Sequence, residues 1–276
     1  MITKAQKEKA YIFSAMHKKN KLFVLPNAWD VGSAYVFEKQ GFGAVATSSA
    51  GIAYDLGYPD GEDISFEDLL YVVGKISRRI EIPLSVDFER GYAETGAAVK
   101  ENARQLLLAG AVGFNIEDGL PNNTLSPLPA QIEKIKALTE LKQELQLDFV
   151  INARTCAYWL NVANEEEKMQ ISLERCNAFV KAGADCVFIP GAIDQITVGK
   201  LTQGINAPIN IILNGVFNNF TKLEELGVRR LSVGSAPVRY VYAKTITLAK
   251  DLYKGNVDKL LANELTYAKA NTYFAK

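Results

Sequence analysis

Three short segments gather residues able to handle protons, cations and carboxylates. Ser85-Val86-Asp87-Phe88-Glu89 ends one apolar run, Asn115-Ile116-Glu117-Asp118 a second and Asn152-Ala153-Arg154 a third. Alternation along an extended chain puts Asp87 with Glu89, Asn115 with Glu117 and Asn152 with Arg154, while Asp118 takes the opposite face. Carboxylates converging in this way repel one another and have raised pKa values unless a cation neutralises them. A hard divalent ion with oxygen ligands, Mg2+ or Mn2+, that keeps several waters suits such a set. Arg154 is then left to grip a substrate carboxylate through two parallel hydrogen bonds. The plainer reading of these residues is an ion-pair network of the carboxylates with Arg90 and Arg154. Ser48-Ser49-Ala50-Gly51 adds hydroxyls and small residues where backbone N–H groups can approach an anion.

The elements that must position these groups repeat along the chain. Eight short apolar, β-branched runs occupy 22–29, 44–49, 83–89, 113–118, 149–154, 186–191, 208–213 and 229–235. Stretches with apolar residues three and four apart lie between them, among them 30–40, 65–79, 95–109, 129–145, 165–182 and 236–254. Strands alternating with helices predict parallel βαβ units. The joints KQGFGAVAT, LAGAVGFNI, KAGADCVFI and ELGVRRLSV each set a glycine where a helix ends and a strand begins. Eight units, with no G-x-G-x-x-G after the first strand, predict a closed (β/α)8 barrel, also called a TIM barrel, rather than an open sheet. Such barrels work at the C-terminal ends of their strands, where the polar residues lie. The whole chain, 1–276, reads as one domain, with 256–276 as an extra C-terminal helix rich in alanine, leucine and lysine.

Composition narrows the partners. Lys plus Arg equals Asp plus Glu at 31 each, so the basic footprint of a nucleic-acid binder is missing and a small molecule is expected. The first residues carry no apolar leader core and no run reaches about 18 apolar residues, so a cytoplasmic location away from membranes is expected. Cys156, Cys176 and Cys186 lack metal-type spacing and read as free thiols. The one histidine, His17, lies in a polar N-terminal segment, which argues against a catalytic triad or a multi-histidine metal site.

In order along the chain, PNAWDVGSA (26–34), TSSAGIAYDLGYPD (47–60), VDFERGY (86–92), NIEDG (115–119), NAR (152–154) and GVRRLSVG (227–234) resemble the isocitrate lyase and phosphoenolpyruvate mutase superfamily. The resemblance implies Mg2+ bound directly by Asp87, with Asp60, Glu89 and Glu117 reached largely through waters. It implies that Ser48, Ser49, Ala50 and Arg154 hold an α-keto acid or its enolate. It also implies C–C or P–C bond chemistry next to pyruvate, and a terminal helix that packs on a neighbouring subunit to give a homo-oligomer, a dimer or tetramer.

Departures from the family pattern bear on the reaction. Lyases of this kind carry a K-x-C-G loop after the fourth strand, whereas GLPNNTLSPLP (119–129) has no cysteine, lysine or histidine. Asn122, Asn123 and Thr124 are its candidate catalytic groups, on a loop expected to act as a mobile gate. Glu89 and Arg90 stand where the family has Asp and a small residue. Cys156, two residues after Arg154, reads as a packed thiol rather than a substitute nucleophile. The expected activity is a Mg2+-dependent C–C lyase acting on a small α-keto or dicarboxylic acid. The alternatives are a P–C bond enzyme of the phosphonopyruvate hydrolase or phosphoenolpyruvate mutase type and a non-catalytic barrel that binds an α-keto acid.

Overall fold

A computed structural model describes residues 1–191 and 194–275. Chain contacts divide it into two units, Met1–Ser235 and Ala236–Lys276. In the first, nine parallel strands form one sheet: β1 (Phe23–Leu25), β2 (Asn27–Ala28), β3 (Val45–Thr47), β4 (Leu84–Asp87), β5 (Gly113–Glu117), β6 (Val150–Arg154), β7 (Cys186–Phe188), β8 (Ile209–Ile212) and β9 (Val228–Ser232). The sheet order is β1-β9-β8-β7-β6-β5-β4-β3-β2, so its two edges are two halves of one chain segment. Where the sequence predicts one strand over 22–29, Pro26 divides it: β1 pairs with β9 and β2 with β3. Proline has no N–H to give to a ladder, and the strand changes neighbours at that residue. The ring is therefore the expected eight-unit barrel with its first strand split.

Around the strands lie α1 (Lys4–Lys18), α2 (Val31–Lys39), α3 (Ser49–Asp55), α4 (Phe66–Arg79), α5 (Gly96–Leu108), α6 (Leu128–Leu145), α7 (Glu165–Lys181), α8 (Gln195–Gly204) and α9 (Phe220–Glu225). The joint glycines Gly41, Gly110, Gly183 and Gly227 all have positive φ, as the αβ turns require. At Gly110 the need is steric as well, because a Cβ would fall 2.6 Å from Ser77 Oγ.

α1 closes the end of the barrel opposite the site. Phe13 is fully buried, and a Cβ on Gly113, the first residue of β5, would lie 2.9 Å from its ring. The Gln6 side-chain amide donates to the carbonyls of Leu107 and Ala111, at 2.6 and 3.0 Å. His17 is not in a polar setting, as its sequence neighbours suggested. It is buried edge-on between Phe13 and Phe23, and burial, aided by Arg230, lowers its pKa to about 3.

The second unit holds α10 (Ala236–Tyr253), α11 (Asp258–Leu261) and α12 (Tyr267–Phe274). The single extra helix expected over 256–276 is thus two short helices. Asn263 accepts from the Leu265 N–H between them, and Thr266 caps α12; Lys276 lies outside the described residues. Neither α11 nor α12 buries a residue, and Tyr253, Leu261 and Tyr267 are 94%, 78% and 87% exposed.

Candidate active site

The C-terminal ends of β4, β5 and β6 meet at a cavity of about 70 Å³ lined by Ser48, Ser49, Ala50, Asp60, Asp87, Asn115 and Arg154. β4 ends at Asp87, which is buried and held on both oxygens. The Ser49 N–H and hydroxyl donate to Oδ2 at 3.2 and 3.1 Å, and the Asn115 amide donates to Oδ1 at 3.3 Å. The serine segment is the first turn of α3, with Ser48 as its N-cap accepting from the Gly51 N–H. Ser49 is thereby left facing Asp87.

Asp60 comes from the loop between α3 and α4. Its residue is exposed, yet its carboxyl faces the cavity, where burial and then Asp87 raise its pKa. Glu89 lies past the end of β4 at φ +48, so strand alternation does not place it; the turn does. It is buried and accepts from the Tyr92 hydroxyl at 3.2 Å. Burial, followed by Asp87, Asp60, Glu62 and Glu117, pushes its pKa to about 9. Glu117 forms a 2.7 Å ion pair with Arg154, yet burial outweighs that partner and lifts its pKa to about 7. Burial opposes the charge on Arg154, but the nearby Glu117 and Asp87 carboxylates more than offset it. The Arg154 guanidinium also lies 5.6 Å from the Trp159 ring and 5.5 Å from that of Phe188.

The ion-pair reading is half realised: Arg154 pairs with Glu117, whereas Arg90 pairs with Glu62 at 2.6 Å. Asp118 takes the opposite face, as alternation predicted, and pairs with Arg175 at 3.0 Å. Asp60, Asp87, Arg154 and the Ser48-Ser49-Ala50 turn share the cavity; Glu89 and Glu117 are not among its lining residues, but, besides burial, the Asp87 and Asp60 charges raise the pKa of both. Among the described residues, no group of three or more His, Cys, Asp or Glu is gathered closely enough to hold a metal ion by itself. The loop after β5 is not irregular. Gly119 bridges Leu125, and the Leu120 N–H donates to the Thr124 carbonyl at 2.9 Å, so it forms a tight hairpin with Asn122, Asn123 and Thr124 exposed at its tip, outside the cavity lining. Cys156 is buried with its thiol pKa raised by burial. All three cysteines are free.

Sequence reading missed Asn27, Trp159, Phe188, Pro190 and Ser232 on the cavity wall. Asn27, the first residue of β2, accepts from the Val233 and Gly234 N–H groups just after β9, each at 2.9 Å. Its signal was its place near the C-terminal end of the apolar run 22–29, close to the criterion that found Asp87 and Arg154.

A parallel α/β barrel with acidic and basic groups at its C-terminal mouth defines a barrel of the enzyme type. The phosphoenolpyruvate phosphomutase family model matches residues 13–253, so the chain belongs to that family, within the phosphoenolpyruvate mutase and isocitrate lyase superfamily of lyases and mutases. An uncharacterized protein of Mycobacterium tuberculosis is 34% identical over 226 residues, 82% of each chain. The 2-methylisocitrate lyase of Escherichia coli is 28% identical over 206 residues, 71% of this chain and 66% of the enzyme. A Burkholderia cenocepacia structure, provisionally described as a lyase/mutase, superposes with a TM-score of 0.92 at 29% identity, covering 99% of this chain and 98% of that one.

Proposed function

We propose that the chain is a Mg2+-dependent lyase that breaks a C–C bond next to the α-keto acid or enolate part of a small carboxylic acid. The observation that carries this reading is Asp87, a buried carboxylate fixed on both oxygens at the mouth of a cavity shared with Asp60 and Arg154. The donor set fits a divalent ion. Asp60, Glu89 and Glu117 all have raised pKa values, so a cation nearby relieves both their burial and their mutual repulsion. Asp87 is assigned as the direct ligand, with Asp60, Glu89 and Glu117 acting through waters. That arrangement agrees with the lack of a close cluster of three carboxylates among the described residues.

When bound, the ion supplies Lewis-acid stabilisation of enolate oxygen charge. The chain's own groups do the rest. Ser49 and Asn115 fix the Asp87 carboxylate before substrate arrives, which removes a reorganisation cost. Arg154, held by Glu117 and close to the Trp159 and Phe188 rings, presents its remaining N–H groups to the substrate carboxylate, and Ser48, Ser49 and Ala50 cradle the keto acid head. The Cys156 thiol stays protonated and takes no nucleophilic part. We further place the protein in the cytoplasm, which accords with the lack of any helix long and apolar enough to cross a membrane among the described residues. It works there as a homo-oligomer.

The test is incubation with oxaloacetate, malate-type adducts, 2-methylisocitrate and phosphonopyruvate, with and without Mg2+. Mg2+-dependent release of a keto acid without inorganic phosphate is expected. Phosphate release points instead to P–C chemistry, and no turnover on any of them points to a binding barrel.

A further inference from the structure

Arg230, on β9, is the bulkiest of the fully buried side chains, and the activity proposed above gives it no task. Burying a guanidinium is costly unless a counter-charge and hydrogen bonds compensate it. Here Nε and Nη1 have no hydrogen-bond partner among the described residues, and the Phe13 ring lies 5.9 Å away on the closed side of the barrel. The remaining nitrogen, Nη2, donates to Asn115 Oδ1 at 3.1 Å, and Asn152 Nδ2 donates to the same oxygen at 2.7 Å. Asn115 Nδ2 in turn donates to Asp87 Oδ1 at 3.3 Å. Burial draws the Arg230 pKa down to about 10, against the opposing pull of Cys186 and of Asp87.

The donor and acceptor inventory of these groups sets a direction. A guanidinium has no acceptor, so it tolerates only the oxygen end of the Asn115 amide. With the oxygen held by Arg230, the NH2 end must face Asp87. If the amide turned over, donors would meet at Arg230 and two oxygens would meet at Asp87. We propose that Arg230 is a positioning residue that locks the Asn115 amide in the orientation donating to Asp87. This rests on Asp87 being the direct metal ligand.

The test titrates Mg2+ alone into the full-length protein by calorimetry. Arg230→Met is expected to weaken Mg2+ binding at least about tenfold. Arg230→Lys, which keeps a cationic donor but not the fork, recovers part of the loss. In an Asn115→Ala background the Arg230→Met step changes affinity less than about twofold, because the relay is already cut. A purely structural role predicts the same loss in both backgrounds, and that result, or unchanged affinity in a folded Arg230→Met chain, overturns the proposal. If Arg230→Met does not fold, Arg230→Lys carries the comparison on the two backgrounds. Wild-type protein that binds no Mg2+ defeats the metal reading instead. The Arg230 assignment is then decided by the crystal structure of the folded variant: an Asn115 amide turned away from Asp87 sustains it, and an unmoved one overturns it.

Discussion

At the scale of single residues, Asp87 has the sharpest consequence. Asp87→Ala should abolish Mg2+-dependent turnover and Mg2+ binding by calorimetry while thermal unfolding remains cooperative; unchanged Mg2+ affinity overturns its role as ligand. A pH effect follows from Glu117 and Glu89, whose folded pKa values of about 7 and about 9 exceed the ordinary 4.5. Between those values and 4.5 the folded chain binds protons that the unfolded chain has released, so their stabilising contribution is complete below about 4.5 and is lost as pH rises. Metal-free protein should therefore show a Tm that falls from pH 5 to pH 9. Mg2+ should restore more of it at pH 9 than at pH 5, and Glu89→Gln should flatten the part above pH 7. A flat Tm across this range in metal-free protein counts against buried, cation-seeking carboxylates. Asp87, Asn115 and Arg154 were legible because they end apolar runs with two-residue spacing. Asp60 was not, since it sits in a loop without periodicity and entered only through the family pattern. Nor were Arg230 and the Glu62–Arg90 pair, whose partners are distant in sequence.

Among the elements, the hairpin after β5 is the open question, because its tip lies outside the cavity lining but directly follows Glu117. Replacing Asn122, Asn123 and Thr124 together with alanine should lower kcat at least about tenfold with Mg2+ binding intact, if the hairpin closes over the cavity during turnover. An unchanged kcat on the true substrate removes it from the mechanism. The αβ joints allow a stability test as well: Gly110→Ala meets both a φ of +113 and Ser77 Oγ, and should cost roughly 2 kcal/mol or more in urea unfolding. These joints were legible because only glycine easily ends a helix in that conformation. The terminal helix was misjudged because composition favours helix throughout 256–276, while the Asn263 turn and the Thr266 cap interrupt it locally. The short α3 went unnoticed because seven residues give too few turns for a period to show.

For the whole molecule, the exposed tyrosines and leucines of residues 236–276 ask for a partner surface. Deleting residues 256–276 should give monomers or insoluble protein by analytical ultracentrifugation, and a full-length chain that sediments as a monomer at micromolar concentration contradicts the proposed homo-oligomer. The barrel itself was legible from its repeat, but the break at Pro26 was not, because the sequence LFVLPNAW reads as continuous. That break also bears on the order of events during synthesis. Phe23–Leu25 pairs with Arg230–Ser232, so one of the first barrel segments to leave the ribosome waits for one of the last. Until then β1 is a bare strand edge able to pair with another chain, while β2 is free to pair with β3 early. Pro26 thus separates an early-pairing half from a late-pairing half of one segment, and the yield of correctly folded chain at high expression should depend most on how quickly residues 228–232 arrive to cover the waiting edge.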